Sequence, residues 1–488
     1  MADRNCDVLV IGGGGAGLAA AIEAREAGAN TILLEKNPAL GGSTAWSIGS
    51  FTATRTPQQL AAGIEDSPDE HFEDMPKFSG PQADRDNPEL RRLFVDNAND
   101  TLRWLMGHGI EFFGPMPEPP HTKPRMHNVL PNSRAYITRL EKHARKIGVD
   151  IRLNAPAEAF LRDGERVTGV RCKDGTELTA GVTVLASGDY SGSPEFKKEY
   201  ISEQISKVDA MNPTATGDGH KMALALGGRI INGDVLSGPN LRFVPPEKET
   251  LQRMLPATPL VAKTMRLALK YAPDWLLRPF VLRFTVTSMA PELDMFRNGA
   301  LLVNKLGERV TADAPKLGTE IAQHPDKIGY VLMDRDLAAR YNAWPDFIAT
   351  APGVSYAYFN DFKNTRKDIF FESDTVEGLA AKLGMTSDTL KASVEAYNGE
   401  APAKFANPPF YALGPAKSYI VLTDGGLAVN GQLQLLGEND KPVPGLYAAG
   451  SSGQGGLMLK GHGHHIGWAF TSGRIAGKTA AREALGKN

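Results

Sequence analysis

The sequence predicts an α/β fold, a parallel-sheet domain whose chain is interrupted by one inserted α+β domain. Three observations carry this. The chain opens on an apolar run that enters a glycine-rich turn and then a helical pattern, "CDVLVIGGGGAGLAAAIEAREAG". From Phe410 to the end it returns to glycine-rich strand and turn texture. Between them the texture shifts to more proline and mixed helical patterns without a second glycine loop. The predicted division is therefore 1–228 with 410–488 as one domain and 229–409 as the insert. A chain of 488 residues is long enough for both.

The elements follow in order. Val8 to Ile11 is a short apolar run suited to a buried parallel strand. It runs into Gly12-x-Gly14-x-x-Gly17, and a helical pattern extends to Gly28. Gly12 permits the tight turn, Gly14 lets backbone approach a pyrophosphate, and Gly17 lets helix and strand pack closely. Gly15 and Ala16 stand at the helix start, where free N–H groups face phosphates. A second apolar run, Thr31 to Leu34, ends at Glu35, which can accept from ribose hydroxyls. A glycine pattern alone is weak evidence. With a strand before it, a helix after it and an acid at this distance, it predicts dinucleotide binding.

Tyr136 to Ile147 reads as a helix and Val149 to Leu153 as a strand. Two turns, Asp163-Gly164 and Asp174-Gly175, then separate β-rich runs as in a meander. The run closes on Val184 to Gly188, and Asp218 stands just before a further helix. In the insert, residues 257–284 are apolar and basic. On a helix, Val261, Met265, Ala268 and Ala272 share one face and Lys263, Arg266 and Lys270 another. Such a helix can sit in the core with a solvated basic face, roof an apolar pocket, or make peripheral contact with a membrane.

Bulk composition excludes some classes. Net charge is −2 and charged residues make 23%, which gives no basic field for nucleic acid. Cys6 and Cys172 cannot form a disulfide framework. No charged start precedes an apolar leader, so the expected location is cytoplasmic.

The pair Glu35-Lys36, followed by Gly41-Gly42-Ser43-Thr44, resembles the two-dinucleotide FAD-binding folds, in which the chain then runs along the cofactor. By this resemblance the domain is Rossmann-like, and Ser47 and Gly49 lie near the flavin ring. More broadly, the chain resembles the flavoprotein superfamily of fumarate reductase, succinate dehydrogenase and 3-ketosteroid 1-dehydrogenase. The motifs are ordered along nearly the whole chain: "TGDG" at Thr216, "NKLGERVTAD" at Asn304, "SDTVEGLAAKLGM" at Ser373, "PPFYA" at Pro408, "TDGGLAVN" at Thr423, "PGLYAAG" at Pro444 and "GRIAG" at Gly473. The resemblance implies FAD as cofactor. It also implies that Ala186, Ser187, Gly188 and Gly450 face the cofactor. The backbone from Gly463 through His465 to Ile466 would face the flavin N1/O2 edge, where a helix start supplies N–H donors.

The stretch "LKGHGHHIG" admits other readings. A metal site from His462, His464 and His465 is disfavoured, because adjacent side chains diverge and no carboxylate or cysteine is near in sequence. No metal is therefore expected. The departures from the relatives bear on the reaction. Fumarate reductases carry a histidine just before the position of Thr423 and an Asn-Arg pair in the final motif, and both are missing here. Ketosteroid dehydrogenases carry tyrosines where this chain has "APKLG" and Leu459-Lys460-Gly461.

The expected reaction is formation or reduction of a C–C double bond beside a carbonyl, with a hydrophobic ketone as substrate. The alternatives are a carboxylate-directed ene-reductase of the fumarate or urocanate type and an electron-transfer subunit. The Gly463 N–H is the first expected carbonyl donor. His464, Lys460 and His462 are the expected proton-handling residues, with Lys316 and Tyr358 of the insert behind them. A small-molecule substrate and an external electron donor or acceptor complete the expectation.

Overall fold

A computed structural model describes residues 4–246, 255–351, 355–400 and 404–487. The first sheet runs in the order Gln434–Leu436, Pro442–Ala448, Glu177–Leu185, Cys6–Ile11, Thr31–Leu34 and Asp150–Arg152. All neighbours are parallel except the first pair. Val8, Leu9 and Val10 are fully buried, as expected of a central strand covered on both faces. The meander of Ala157–Asp163 and Arg166–Cys172 hangs on the Glu177–Leu185 strand.

The helix Gly15–Glu26 covers one face of this sheet, and the final helix His464–Ala484 lies directly on it. Glycine explains how close they come. A Cβ on Gly473 would stand 2.3 Å from Ala16 O, and one on Gly477 would stand 2.2 Å from Ala20 O. The two ends of the chain thus meet backbone to backbone, around a core that includes Phe94, Tyr136, Trp468 and Phe470.

A second sheet runs Asp209–Ala210, Phe410–Ile420, Ile328–Met333 and Leu301–Asn304, with Asn240–Phe243 and Phe370–Ser373 also paired to the Phe410–Ile420 strand. This 11-residue strand is the hub of the second sheet. Phe410, where the sequence reading returned the chain to the first domain, is therefore its first residue. Asp209–Ala210, from before the insert, pairs with its far end. Separate apolar clusters fill the two sides of this sheet.

Within the basic apolar stretch, helices span Pro259–Tyr271 and Asp274–Ser288. Thr258 caps the first, and Pro259 suits its first turn. The buried face differs from the expected one. Ala262 is buried and Val261 and Met265 are half-buried, whereas Ala268 is exposed. The basic face is solvated as expected: Lys263, Arg266 and Lys270 are all exposed, and Arg266 lies 3.2 Å from Glu111. Leu260, Leu267 and Tyr271 are left exposed. Among the described residues, no helix is long and apolar enough to cross a membrane.

Candidate active site

A cleft opens along the carboxyl ends of the first sheet's strands. Its floor is the first glycine loop. Gly12 has φ of +105°, and a Cβ there would lie 2.4 Å from Ala186 O. A Cβ on Gly17 would lie 1.8 Å from Gly12 O, so Gly17 shapes the turn from behind rather than lining the cleft. Gly14, Gly15 and Ala16 line it. No acidic residue occupies the first turn of the helix, and Gly14 offers no capping side chain. Such a helix start suits an anionic group.

Glu35 is buried and accepts from the Gly13 N–H at 2.7 Å and from the Asn37 N–H at 2.9 Å. It ties the end of the second strand to the glycine loop, and a carboxylate has acceptor capacity left for ribose. The second glycine pair lies against the first, because Gly41 N–H donates to Gly13 O at 2.9 Å. Gly42, Ser43 and Thr44 line the cleft. Thr44 Oγ1 accepts from Gly15 N–H at 3.2 Å, and Asn212 Nδ2 donates to Ser43 Oγ at 2.9 Å. Lys36 is held at 2.6 Å by Asp218, the first residue of the helix Asp218–Leu224. Ala186, Ser187, Gly188 and Gly450 form the opposite wall. Ser452 Oγ donates to Gly188 O at 2.8 Å and fixes that turn. The glycine floor and the polar rim fit a dinucleotide such as FAD.

Ser47 and Gly49 lie beyond this cleft. Ser47 Oγ donates to Thr44 O at 2.7 Å, and Gly49 O accepts from the Tyr136 hydroxyl at 2.8 Å. Gly49 leads into the strand Ser50–Thr52, which meets the last segment of the chain. Thr52 Oγ1 donates to His462 O at 2.8 Å, and Thr52 N–H donates to Gly463 O at 3.4 Å. Gly463, at φ of +88°, is the N-cap of the final helix. Its Cβ would strike Thr52, so only glycine allows this approach. The N–H groups of Gly463, His464, His465 and Ile466 have no acceptor within the helix.

Around this helix start the structure gathers charges. Asp424 is fully buried and accepts from Lys460 Nζ at 2.6 Å, and His465 Nε2 stands 3.1 Å from its other oxygen. Burial alone would push its carboxyl up, but His465 and Lys460 overcome this and hold it well below the usual range. Lys460 also donates to Leu236 O at 3.0 Å, so it spans the junction between the final segment and the strand Leu236–Ser237. His462 is exposed. Its ring Nδ1 is 2.5 Å from Glu118 Oε1, which also accepts the His462 backbone N–H at 2.9 Å. That hydrogen bond raises the imidazole's proton affinity, against burial and the nearby Arg242. Arg242 lies on the strand Asn240–Phe243 of the second sheet.

His464, the first sequence candidate, is fully buried. Its Nδ1 lies 2.5 Å from Lys460 O and its Nε2 lies 3.1 Å from His71 Nε2. Burial pulls its pKa down to about 4. His71 and His121 are also held low by burial and by the neighbouring positive groups. The partners that matter to His464 lie 393 and 343 residues earlier in the chain (464 − 71 and 464 − 121), beyond the reach of local spacing. Lys316 is exposed on the turn before the helix Leu317–Ile321, which packs on Pro239 through Gly318. Tyr358 is half-buried, and its N–H donates to Asp361 at 2.9 Å as the cap of Phe359–Thr365. Sequence reasoning missed Asp424, Glu118 and Arg242. Asp424 stood inside the quoted "TDGG", whereas nothing local marked the other two.

Residues 7–246 and 287–458 match the FAD binding domain family model. An NADH:fumarate oxidoreductase of Klebsiella pneumoniae is 26% identical over 99% of this chain, but the chain spans only 48% of that protein. A probable fumarate reductase of Shewanella frigidimarina is 28% identical, over 98% of this chain and 75% of its own length. Among solved structures, the open conformation of a flavocytochrome c3 fumarate reductase has a TM-score of 0.72 at 25% identity, covering 99% of this chain and 79% of that one. A 3-ketosteroid Δ1-dehydrogenase from Sterolibacterium denitrificans, at 0.66 and 19%, shares the fold. With four-fifths of its residues matched by the family model and a glycine-floored cleft of the right form, the chain belongs to the FAD binding domain family, and FAD is its cofactor.

Proposed function

We propose that the protein is an FAD-dependent oxidoreductase that reduces a C–C double bond conjugated to a carboxylate. The observation that carries this is the hydrogen bond between His462 and Glu118 beside the open N–H groups at the start of the final helix, where the charge of Arg242 is also felt. Two cationic donors there suit a carboxylate-bearing substrate. The relatives named for fumarate and urocanate reduction support the same reading.

The bound cofactor supplies hydride transfer at flavin N5; the protein supplies everything else. The glycine loop and the Glu35, Thr44 and Ser187 turns hold the cofactor. Lys36 and Asp218 brace its rim. The N–H groups from Gly463 to Ile466 face the charge that gathers as the reaction proceeds. Arg242 anchors the carboxylate. His462, kept protonated by Glu118, delivers a proton to the carbon that does not receive hydride. Asp424 pins Lys460 and His465 at the helix start. An external donor returns electrons to the flavin.

The test is His462→Gln. Turnover with an enoate should fall at least about 100-fold, with FAD content unchanged. Full turnover in that variant refutes His462 as the proton donor. A second reading, a hydrophobic ketone dehydrogenated beside its carbonyl, draws support from exposed Leu260, Leu267, Tyr271 and Leu276 on the insert helices. Bleaching of oxidised flavin by a saturated cyclic ketone would favour it. The same residues, with Lys263 and Lys270 beside them, support peripheral contact with an anionic membrane. Unchanged liposome binding after Leu267→Ser removes that version.

A further inference from the structure

We propose that His71, His121 and His464 form a binding site for one divalent transition-metal ion of the Zn²⁺ class. The helix Pro68–Asp74 brings His71, the turn after Glu118 brings His121, and the final helix brings His464. All three side chains are fully buried. One ring nitrogen of each lies within 4.8 Å of the other two.

The arrangement is radial. The ring centroids are 5.3 Å apart for His71 and His121, 5.3 Å for His71 and His464, and 5.2 Å for His121 and His464. An ion held by three imidazoles at about 2.0–2.1 Å and tetrahedral angles sets centroids about 5.2 Å apart and ligating nitrogens about 3.3 Å apart. His71 Nε2 and His464 Nε2 are 3.1 Å apart.

The outer contacts suit such a site. His464 Nδ1–H donates to Lys460 O at 2.5 Å, which leaves the Nε2 lone pair directed at the centre. His121 Nε2 is buried without a hydrogen-bond partner. Arg125 lies 3.1 Å from His121 Nδ1, and its charge is offset by Asp66 at 2.8 Å and by Asp74. Ligation through Nε2 requires the Nδ1 proton to face the Asp74 carboxylate, 4.0 Å away, and the Arg125 contact to break. Phe78 and Phe94 pack edge-on against the rings. Three nitrogen ligands leave a fourth position for water, and the neutral-nitrogen set selects zinc-like ions over Mg²⁺ or Ca²⁺. The bound ion would clamp the start of the final helix to the first domain, one residue from Gly463.

The FAD-loaded protein, stripped with a chelator, is titrated with Co²⁺. The expected result is one equivalent bound with tetrahedral d–d bands, displaced by Zn²⁺. X-ray absorption on the wild-type Co²⁺ complex should count three imidazoles. His71→Gln should weaken Co²⁺ binding by about 100-fold or more and abolish the rise in Tm that Zn²⁺ gives the wild type. A surface cluster of Glu26, His108 and His143 is the control. Loss of binding in His143→Gln but not His71→Gln, two imidazoles with a carboxylate by absorption, or no d–d bands in the wild type would each overturn the site. The absorption count decides even if His71→Gln does not fold.

Discussion

Substituting Asp424 by asparagine should destabilise the protein more than any other isosteric change at the site. The carboxylate is fully buried, with Lys460 Nζ at 2.6 Å, His465 Nε2 at 3.1 Å and Gln454 Nε2 at 3.2 Å. At an effective dielectric of about 20, the Lys460 pair alone is worth about 6 kcal/mol of Coulomb attraction. Lys460 is 19% exposed and regains some hydration when its partner is neutralised. The expected loss is therefore about 3–5 kcal/mol, the usual cost of breaking one side of a buried pair. For 488 residues unfolding as one unit, at about 2.1 cal/mol/K per residue, that lowers Tm by about 3–5 °C. Scanning calorimetry on the FAD-loaded protein measures it. The double change Asp424→Asn with Lys460→Met should recover about half the loss, because no buried cation is then left unpaired. A single variant within about 0.5 kcal/mol of wild type would refute the reasoning.

Three further outcomes are expected. Gly17→Ala should abolish FAD retention, read as loss of flavin absorbance after gel filtration, because its Cβ would stand 1.8 Å from Gly12 O. Arg242→Gln should raise KM for a carboxylate substrate about 10- to 100-fold with a smaller change in kcat, the scale of one charge-assisted hydrogen bond; an unchanged KM would contradict its anchoring role. Stability should fall as pH drops below about 6.5, where the unfolded chain's histidines take up protons. The folded state holds His464 neutral down to about 4 and also disfavours protons on His71 and His121. Each contributes a slope of up to about 1.4 kcal/mol per pH unit in that window, measured by urea midpoints from pH 7.5 to 5, and a rise in stability on acidification would reverse the sign.

Much of the cofactor cleft was legible because its requirements are local. A tight turn, a close backbone approach and an acid at the next strand end all lie within 30 residues of Cys6, and glycine marks each close contact. Gly473 and Gly477 were legible as a motif, though their role, two helices in backbone contact, was not. The charged groups were harder. Arg242 and Glu118 come to His462 from a strand of the second sheet and a turn of the first domain, and neither has a local pattern. Spacing within "HGHH" argued against a metal held by adjacent side chains. It carried no information about His71 and His121, which tertiary packing brings to His464. The basic helix was legible in its solvated face, Lys263, Arg266 and Lys270, and only in part in its apolar face, where Ala262 is buried and Ala268 exposed.

The most direct test of the account is a stopped-flow experiment under anaerobic conditions. Flavin in the purified protein is reduced with dithionite to the end point and mixed in turn with fumarate, urocanate, acrylate and a steroid enone. Rapid return of the oxidised flavin spectrum with at least one carboxylate-bearing alkene, absent with the enone and needing about 10- to 100-fold more substrate in Arg242→Gln, is the result expected. Reduced flavin that stays reduced with every carboxylate, or a protein that never takes up FAD, would contradict it.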